Sequence, residues 1–224
     1  MELREYLSVR RAYNLVRQHT DSAERLTFEE FAILCRLDVV NAPIKTSEIA
    51  NYQGALRPTM THRTNHLASL GFIDRGEGVV DRRNIECTIS EDGRAHVREL
   101  SRRTQSRIPN GQPLARTSAD RLRKYVDAMG SVYCTAGELV LISLLADDGE
   151  RCTVSTLVDR LGLLQPTVSM SVASLVSKGL VARARAEGAG LRSLNIQLTD
   201  EGRKTALELA EKIYSIVVRR RSRG

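Results

Sequence analysis

At 224 residues the chain can bury one sizeable core or two small ones. Three phenylalanines, six tyrosines and no tryptophan leave few rings for carbohydrate or stacking platforms. The net charge of +7 points only weakly to a polyanionic partner: Arg219, Arg220, Arg221 and Arg223 supply four of the seven charges, and such an end is usually just solvated.

The distribution of charge says more than its sum. No carboxylate occurs from Ile49 to Ile73 or from Arg160 to Ala186, and both windows contain basic residues, which predicts two locally positive surfaces. The start, Met1-Glu2-Leu3-Arg4-Glu5, carries charge where a signal peptide needs an apolar core, and the longest apolar run, Leu139 to Ala146, is too short to span a bilayer. These features predict a cytoplasmic, nucleoid-associated protein without a membrane partner. Cys35, Cys87, Cys134 and Cys152 include no close pair, so neither a zinc pattern nor a disulfide framework is expected, and no cofactor.

In chain order, residues 2–19 fit a helix with Tyr6, Val9, Tyr13 and Val16 on one stripe. Thr27 and Glu30 form a capping-box pair ahead of a second helix that buries Phe31, Leu34 and Leu37. Pro43 breaks that run, and Thr46 starts a short helix carrying Ile49 and Ala50. Arg57 to Leu70 reads as a polar helix: Pro58 suits its first turn and Gly71 its left-handed end. Only Met60, Thr64, Leu67 and Ala68 form an inward stripe on it. Ile85 to Ile89 alternates as a strand, and Ser90-Glu91-Asp92-Gly93 opens a helix with Val97, Leu100 and Thr104 inward. Ile108 to Pro113 holds two prolines, one glycine and no charge, and marks a linker over residues 108–116.

After the linker the pattern restarts. Thr135 and Glu138 repeat Thr27 and Glu30 at an offset of 108, as do Leu157 for Ile49, Pro166-Thr167 for Pro58-Thr59, Leu175 for Leu67 and Gly179 for Gly71. Past one inserted loop residue the offset becomes 109, with Arg192 for Arg83 and Gly202-Arg203 for Gly93-Arg94. A tandem duplication is the reading, with one domain over residues 1–107 and another over 117–224. Each copy has the order helix, helix, short helix, polar helix, strand, loop, strand, helix. That is a helix-turn-helix followed by a wing, in a mainly α fold with small β-wings.

Arg57-Pro58-Thr59-Met60-Thr61, the Leu67…Leu70-Gly71-Phe72-Ile73-Asp74-Arg75 stretch and the Asp81-Arg82-Arg83-Asn84 loop resemble the recognition helix and wing of bacterial MarR-family winged-helix regulators. The second copy resembles them through Gln165-Pro166-Thr167-Val168-Ser169, Lys178-Gly179-Leu180-Val181 and Leu191-Arg192-Ser193, although Gly190 stands where Asp81 would repeat. The resemblance implies a regulator of transcription, expected to repress, that binds double-stranded DNA and responds to a small-molecule or redox signal. Family members dimerise through their terminal helices. Two copies on one chain imply a pseudo-dimer, acting as a monomer or pairing again as a homodimer.

The residues expected to touch DNA follow from their places. Arg57, Thr59, Thr61, His62, Arg63 and His66 lie on the first recognition helix, where side chains reach base edges, and Arg63 is the candidate for a bidentate guanine pair. Gln165, Thr167, Ser169 and Ser171 are the second copy's candidates. Arg82, Arg83 and Arg192 belong to wings, while Arg75 and Arg183 on the strands suit phosphates. His62 and His66, four apart, lack a third ligand nearby for zinc. Cys134 and Cys152 each precede a threonine cap, which allows either an activated thiol or an inert buried one. The stripe Ala206, Leu209, Ile213 and Ile216 pairs naturally with that of the first helix. An assembly module of the chromosome-segregation type and a replication initiator with unequal winged heads are the alternatives. An enzyme is not expected, since no Gly-rich phosphate loop, nucleophile triad or metal cluster occurs.

Overall fold

The computed structural model describes residues 1–78, 84–147, 152–185 and 194–218. The first copy contributes helices α1 (Leu3–Gln18), α2 (Phe28–Val40), α3 (Thr46–Gln53), α4 (Arg57–Ser69) and α5 (Glu91–Ser106), with strands β1 (Ile44–Lys45), β2 (Ile73–Glu77) and β3 (Ile85–Ile89). The second contributes α6 (Ala119–Met129), α7 (Ala136–Ala146), α8 (Val154–Leu161), α9 (Gln165–Ser177) and α10 (Asp200–Tyr214), with β4 (Val181–Arg185) and β5 (Leu194–Leu198). The mainly helical winged-helix fold class is therefore as expected.

Local chemistry sets the helix starts. The Thr27 and Thr135 hydroxyls each accept from the backbone N–H three residues on at 3.2 Å, and Glu30 and Glu138 each accept from the cap's own N–H at 2.7 Å. Two of the four orphan donors of α2 and α7 are satisfied in this way. In the first sheet Ile73 pairs with Ile89 across an antiparallel β2–β3 ladder, and Ile44 opposite Cys87 adds β1, giving the order β1-β3-β2. β1 has only two residues, too few to show alternation in the sequence. β4 and β5 pair antiparallel with Val181 opposite Leu198.

The chain forms two compact units whose limits differ from 1–107 and 117–224. One holds Met1–Leu15 with Cys134–Ser215; the other holds Val16–Tyr133 with the stretch from Ile216. Most of α1 thus completes the unit built from α7 to α10, and α6 completes the unit built from α2 to α5. In the first case Tyr6, Val9 and Tyr13 are buried, and three side chains of α1 reach backbone carbonyls of that unit. Asn14 donates to Leu161 O at 2.8 Å, Arg11 to Asp159 O at 2.6 Å and Arg10 to Cys134 O at 3.3 Å. Two of these acceptors close the end of α8. Gly162, at φ 58°, lies so close that a Cβ there would stand 2.7 Å from Arg11 O.

In the second case the attachment is ionic as well as apolar. Leu122, Val126 and Met129 of α6 are fully buried, and Arg123 Nε lies 3.0 Å from Asp38 Oδ2 on α2 while Arg94 of α5 lies 3.3 Å from Oδ1. The Asp38 and Arg123 side chains are only 8% and 14% exposed. Arg36 stacks over Tyr52 at 4.1 Å and lies 3.6 Å from Asp127, whose carbonyl accepts from the Tyr52 hydroxyl at 3.0 Å. Removing one member of a buried pair strands the other charge. Asp38→Ala is therefore expected to cost about 3 kcal/mol in urea unfolding, and Asp38→Leu combined with Arg123→Met less than that. Equal losses for both proteins would show that the pair is not what holds α6.

One half-buried imidazole in the same unit is expected to make stability depend on pH. The His96 ring stacks on Phe72 with centroids 4.1 Å apart, and its Nε2 is buried without a hydrogen-bond partner. Burial pushes the His96 pKa below its ordinary value; Glu24 opposes that shift, Arg103 adds to it and Glu99 opposes it. As pH falls through about 6.5, the unfolded chain takes up this proton first, so stability is present above that pH and declines below it. Melting temperatures measured from pH 8 to 5 are expected to drop on the acid side, with part of that drop missing in His96→Leu.

Candidate nucleic-acid interface

α3 and α4 meet at Gly54, in the left-handed region at φ 58°, and Pro58 sits in the first turn of α4. Met60, Thr64 and Leu67 are buried, and the Thr64 hydroxyl is satisfied by Met60 O at 3.0 Å. The opposite side of α4 carries Arg57, Thr59, Thr61, His62 and Asn65, all exposed. This face meets the requirements of a helix read from outside: polar, partly basic and free of carboxylates.

Two expected contacts turn inward instead. Arg63 is half-buried, and its Nη1 donates to Gln53 Oε1 at 3.0 Å; Gln53 in turn donates to Glu29 O at 3.0 Å. One corner of the guanidinium therefore locks α4 to α3 and α2. His66 Nδ1 lies 2.7 Å from Oε1 of Glu30, a buried carboxylate whose other oxygen closes the capping box of α2. His66 sets the position of α4, and no three His, Cys, Asp or Glu side chains converge as a metal site would require among the described residues.

Arg75 of β2 donates to Asn65 Oδ1, fixing the sheet to the recognition helix. Thr46, Ser47, Arg57, Thr61, Arg75 and Asn84 surround a concavity of about 260 Å³ between the starts of α3 and α4 and the strands. Its two guanidinium groups and three hydroxyls are donors of the kind that bind phosphate oxygens. Arg82 and Arg83 lie outside the described residues, as does Arg192.

The second head has the same backbone plan and different side chains. α9 has Pro166 in its first turn, buries Val168, Val172 and Leu175, and carries no ionisable side chain from Gln165 to Ser177. Gln165 is exposed, while Thr167, Ser169 and Ser171 are half-buried. Arg183 on β4 is exposed, as is Lys178 just after the helix. A residue passed over in the sequence is prominent here: Met170, the counterpart of His62, is 74% exposed. Its signal was its twin position on a face where only polar side chains had been considered. Burial favours the inert reading of Cys134 and Cys152 over the activated one. Cys134 is buried, and burial pushes the Cys152 thiol up to about 11, the reverse of activation.

Residues 135–190, which run from α7 through β4, match the MarR family. The chain is also similar to two solved structures. One is YusO from Bacillus subtilis, 19% identical over 45% of this chain and 67% of that one, with a TM-score of 0.36. The other is BpsR from Bordetella bronchiseptica, whose DNA binding is regulated by 6-hydroxynicotinic acid, 23% identical over 46% of this chain and 76% of that one, with a TM-score of 0.37. No curated protein matches it.

Proposed function

We propose that this chain is a DNA-binding transcriptional regulator of MarR type, expected to repress, with two unequal reading heads on one polypeptide. The recognition helices of the two heads occupy successive major grooves about 34 Å apart, and the wings, through Arg82, Arg83 and Arg192, grip the flanking backbone. The observation that supports this best is the outward face of α4, where Arg57, Thr59, Thr61 and His62 stand exposed on a helix inside a carboxylate-free stretch. The recess beside it, with two guanidinium groups and three hydroxyls, adds a place for the backbone. In this reading His62 is the main base reader of the first head and Arg63 a half-committed one, since its fork is already anchored to Gln53. A small-molecule effector is the family's usual signal and is proposed here on that basis alone.

A protein-assembly module would need acidic or apolar recognition helices, and Arg57, His62 and Arg63 on α4 run against it. The deciding experiment is a gel-shift titration of the full chain on random and genomic duplexes at low salt. Binding to duplex and selection of a defined sequence are expected; no binding at low salt would overturn the proposal.

A further inference from the structure

The two recognition helices differ in kind, not only in strength. Each ionisable position of α4 has an uncharged twin on α9: Gln165 for Arg57, Met170 for His62, Ser171 for Arg63 and Ser174 for His66. The helix entry is apolar in both heads, with Leu56 78% and Leu164 57% exposed. On α9 alone, the exposed leucine is followed on the outward side by a methionine 74% exposed. An uncharged helix cannot make the arginine or lysine pair that selects guanine, and for cytosine's amino group it offers only the Gln165 amide oxygen at its first position and serine and threonine hydroxyls. The one apolar feature on the floor of the major groove is the C5-methyl group of thymine. Methionine is unbranched and polarizable, and adapts to such irregular apolar contacts. Exposed Lys178 and Arg183 flank this uncharged surface, and no carboxylate lies between Arg160 and Ala186 to repel a phosphate backbone.

Building on the duplex-binding reading above, we propose that the second head reads thymine methyl groups through Met170, with Leu164 at the helix entry. The full site is then asymmetric: one half is read by hydrogen bonds from α4, and the other is thymine-rich and read by apolar contact with α9.

The experiment starts from duplexes selected out of a random pool by the full chain. One half of the recovered site is expected to be enriched in thymine. Replacing those thymines singly by deoxyuridine removes the methyl group and leaves every hydrogen-bonding group in place, and should weaken binding about fourfold per methyl in contact. The Met170→Ala protein, altered only at an exposed position, should bind more weakly and lose that sensitivity at one or more of these bases. His62→Ala should also weaken binding yet keep the uridine effect. A site without thymine enrichment, uridine substitutions without effect, or uridine effects unchanged in Met170→Ala would each overturn the inference while leaving duplex binding intact. Failure to bind any duplex would instead overturn the functional reading on which it rests.

Discussion

Gly93→Ala is expected to destabilise strongly the head that contains α4, and Gly202→Ala the head that contains α9. A Cβ at Gly93 would stand 2.0 Å from the carbonyl oxygen of Phe72, and one at Gly202 would stand 1.8 Å from that of Leu180. Neither oxygen is free to move. The Phe72 carbonyl accepts from Ser90 N at 3.1 Å while its N–H donates to Leu67 O at 3.0 Å, and Leu180 repeats both bonds with Thr199 and Leu175 at 3.1 and 3.0 Å. The Ser90 and Thr199 hydroxyls add bonds to Gly71 O at 2.6 Å and Gly179 O at 2.7 Å. The first turn of α5 or α10 is thus pressed onto the chain leaving the recognition helix, and relief requires more than an ångström of backbone displacement. Overpacking of well-packed sites costs about 1–3 kcal/mol, and a clash with bonded backbone belongs at or above the top of that range. Gly71→Ala is the control. At φ 74° with nothing within 4 Å of a Cβ, it carries only the left-handed penalty of about 1–2 kcal/mol. Circular dichroism during urea unfolding would separate the two. Equal midpoints for Gly93→Ala and Gly71→Ala would show that the close approach is relaxed at little cost.

That glycine pair also shows what the sequence made legible and where it stopped. Gly93-Arg94 and Gly202-Arg203 were visible as repeat markers, but the carbonyl that forbids a side chain lies about twenty residues earlier and only the fold brings it near. Signals that act across three or four residues were readable. They include the capping boxes at Thr27 and Thr135, the buried stripes of α1 and α4, and the proline starts of α4 and α9. The stripe Tyr6, Val9, Tyr13 and Val16 established that one side of α1 is covered, yet an amphipathic pattern does not name its cover. Residues 1–15 accordingly proved to belong with the second copy, held by bonds to Cys134, Asp159 and Leu161.

Within the candidate site the limits were chemical. Polarity was taken as outwardness, which served for Arg57, Thr59, Thr61 and His62. It was incomplete for His66, whose side chain is 37% exposed but also bonded, because Glu30 has two oxygens and the capping box uses only one, leaving the other to hold a side chain 36 residues away. It was incomplete for Arg63, whose guanidinium has donors enough to bind Gln53 and still offer others. Met170 has no sequence signal of its own among the polar candidates of α9; it stands outward because the buried stripe of that helix is filled by Val168, Val172 and Leu175.

If the duplex-binding proposal holds, affinity should fall about a thousandfold between 50 and 200 mM salt, the loss expected when roughly six phosphate contacts release their counterions. The basic groups proposed for those contacts are Arg57 and Arg75 at the recess, Lys178 and Arg183 beyond α9, and Arg82, Arg83 and Arg192 in the wings. Of these, Arg57, Lys178 and Arg183 lie in the two windows that contain no carboxylate. Replacing Arg57 with alanine should flatten the slope of log affinity against log salt by about one and weaken all duplexes alike. His62→Ala should leave that slope unchanged and alter which sequences are preferred, because a base-edge contact displaces no condensed counterion. Fluorescence anisotropy on a selected and a scrambled duplex at several salt concentrations measures both quantities at once. A slope shallower than about two would mean that the arginines do not grip the backbone. A slope moved equally by Arg57→Ala and His62→Ala would mean that α4 meets the duplex as an undifferentiated basic surface and does not read it.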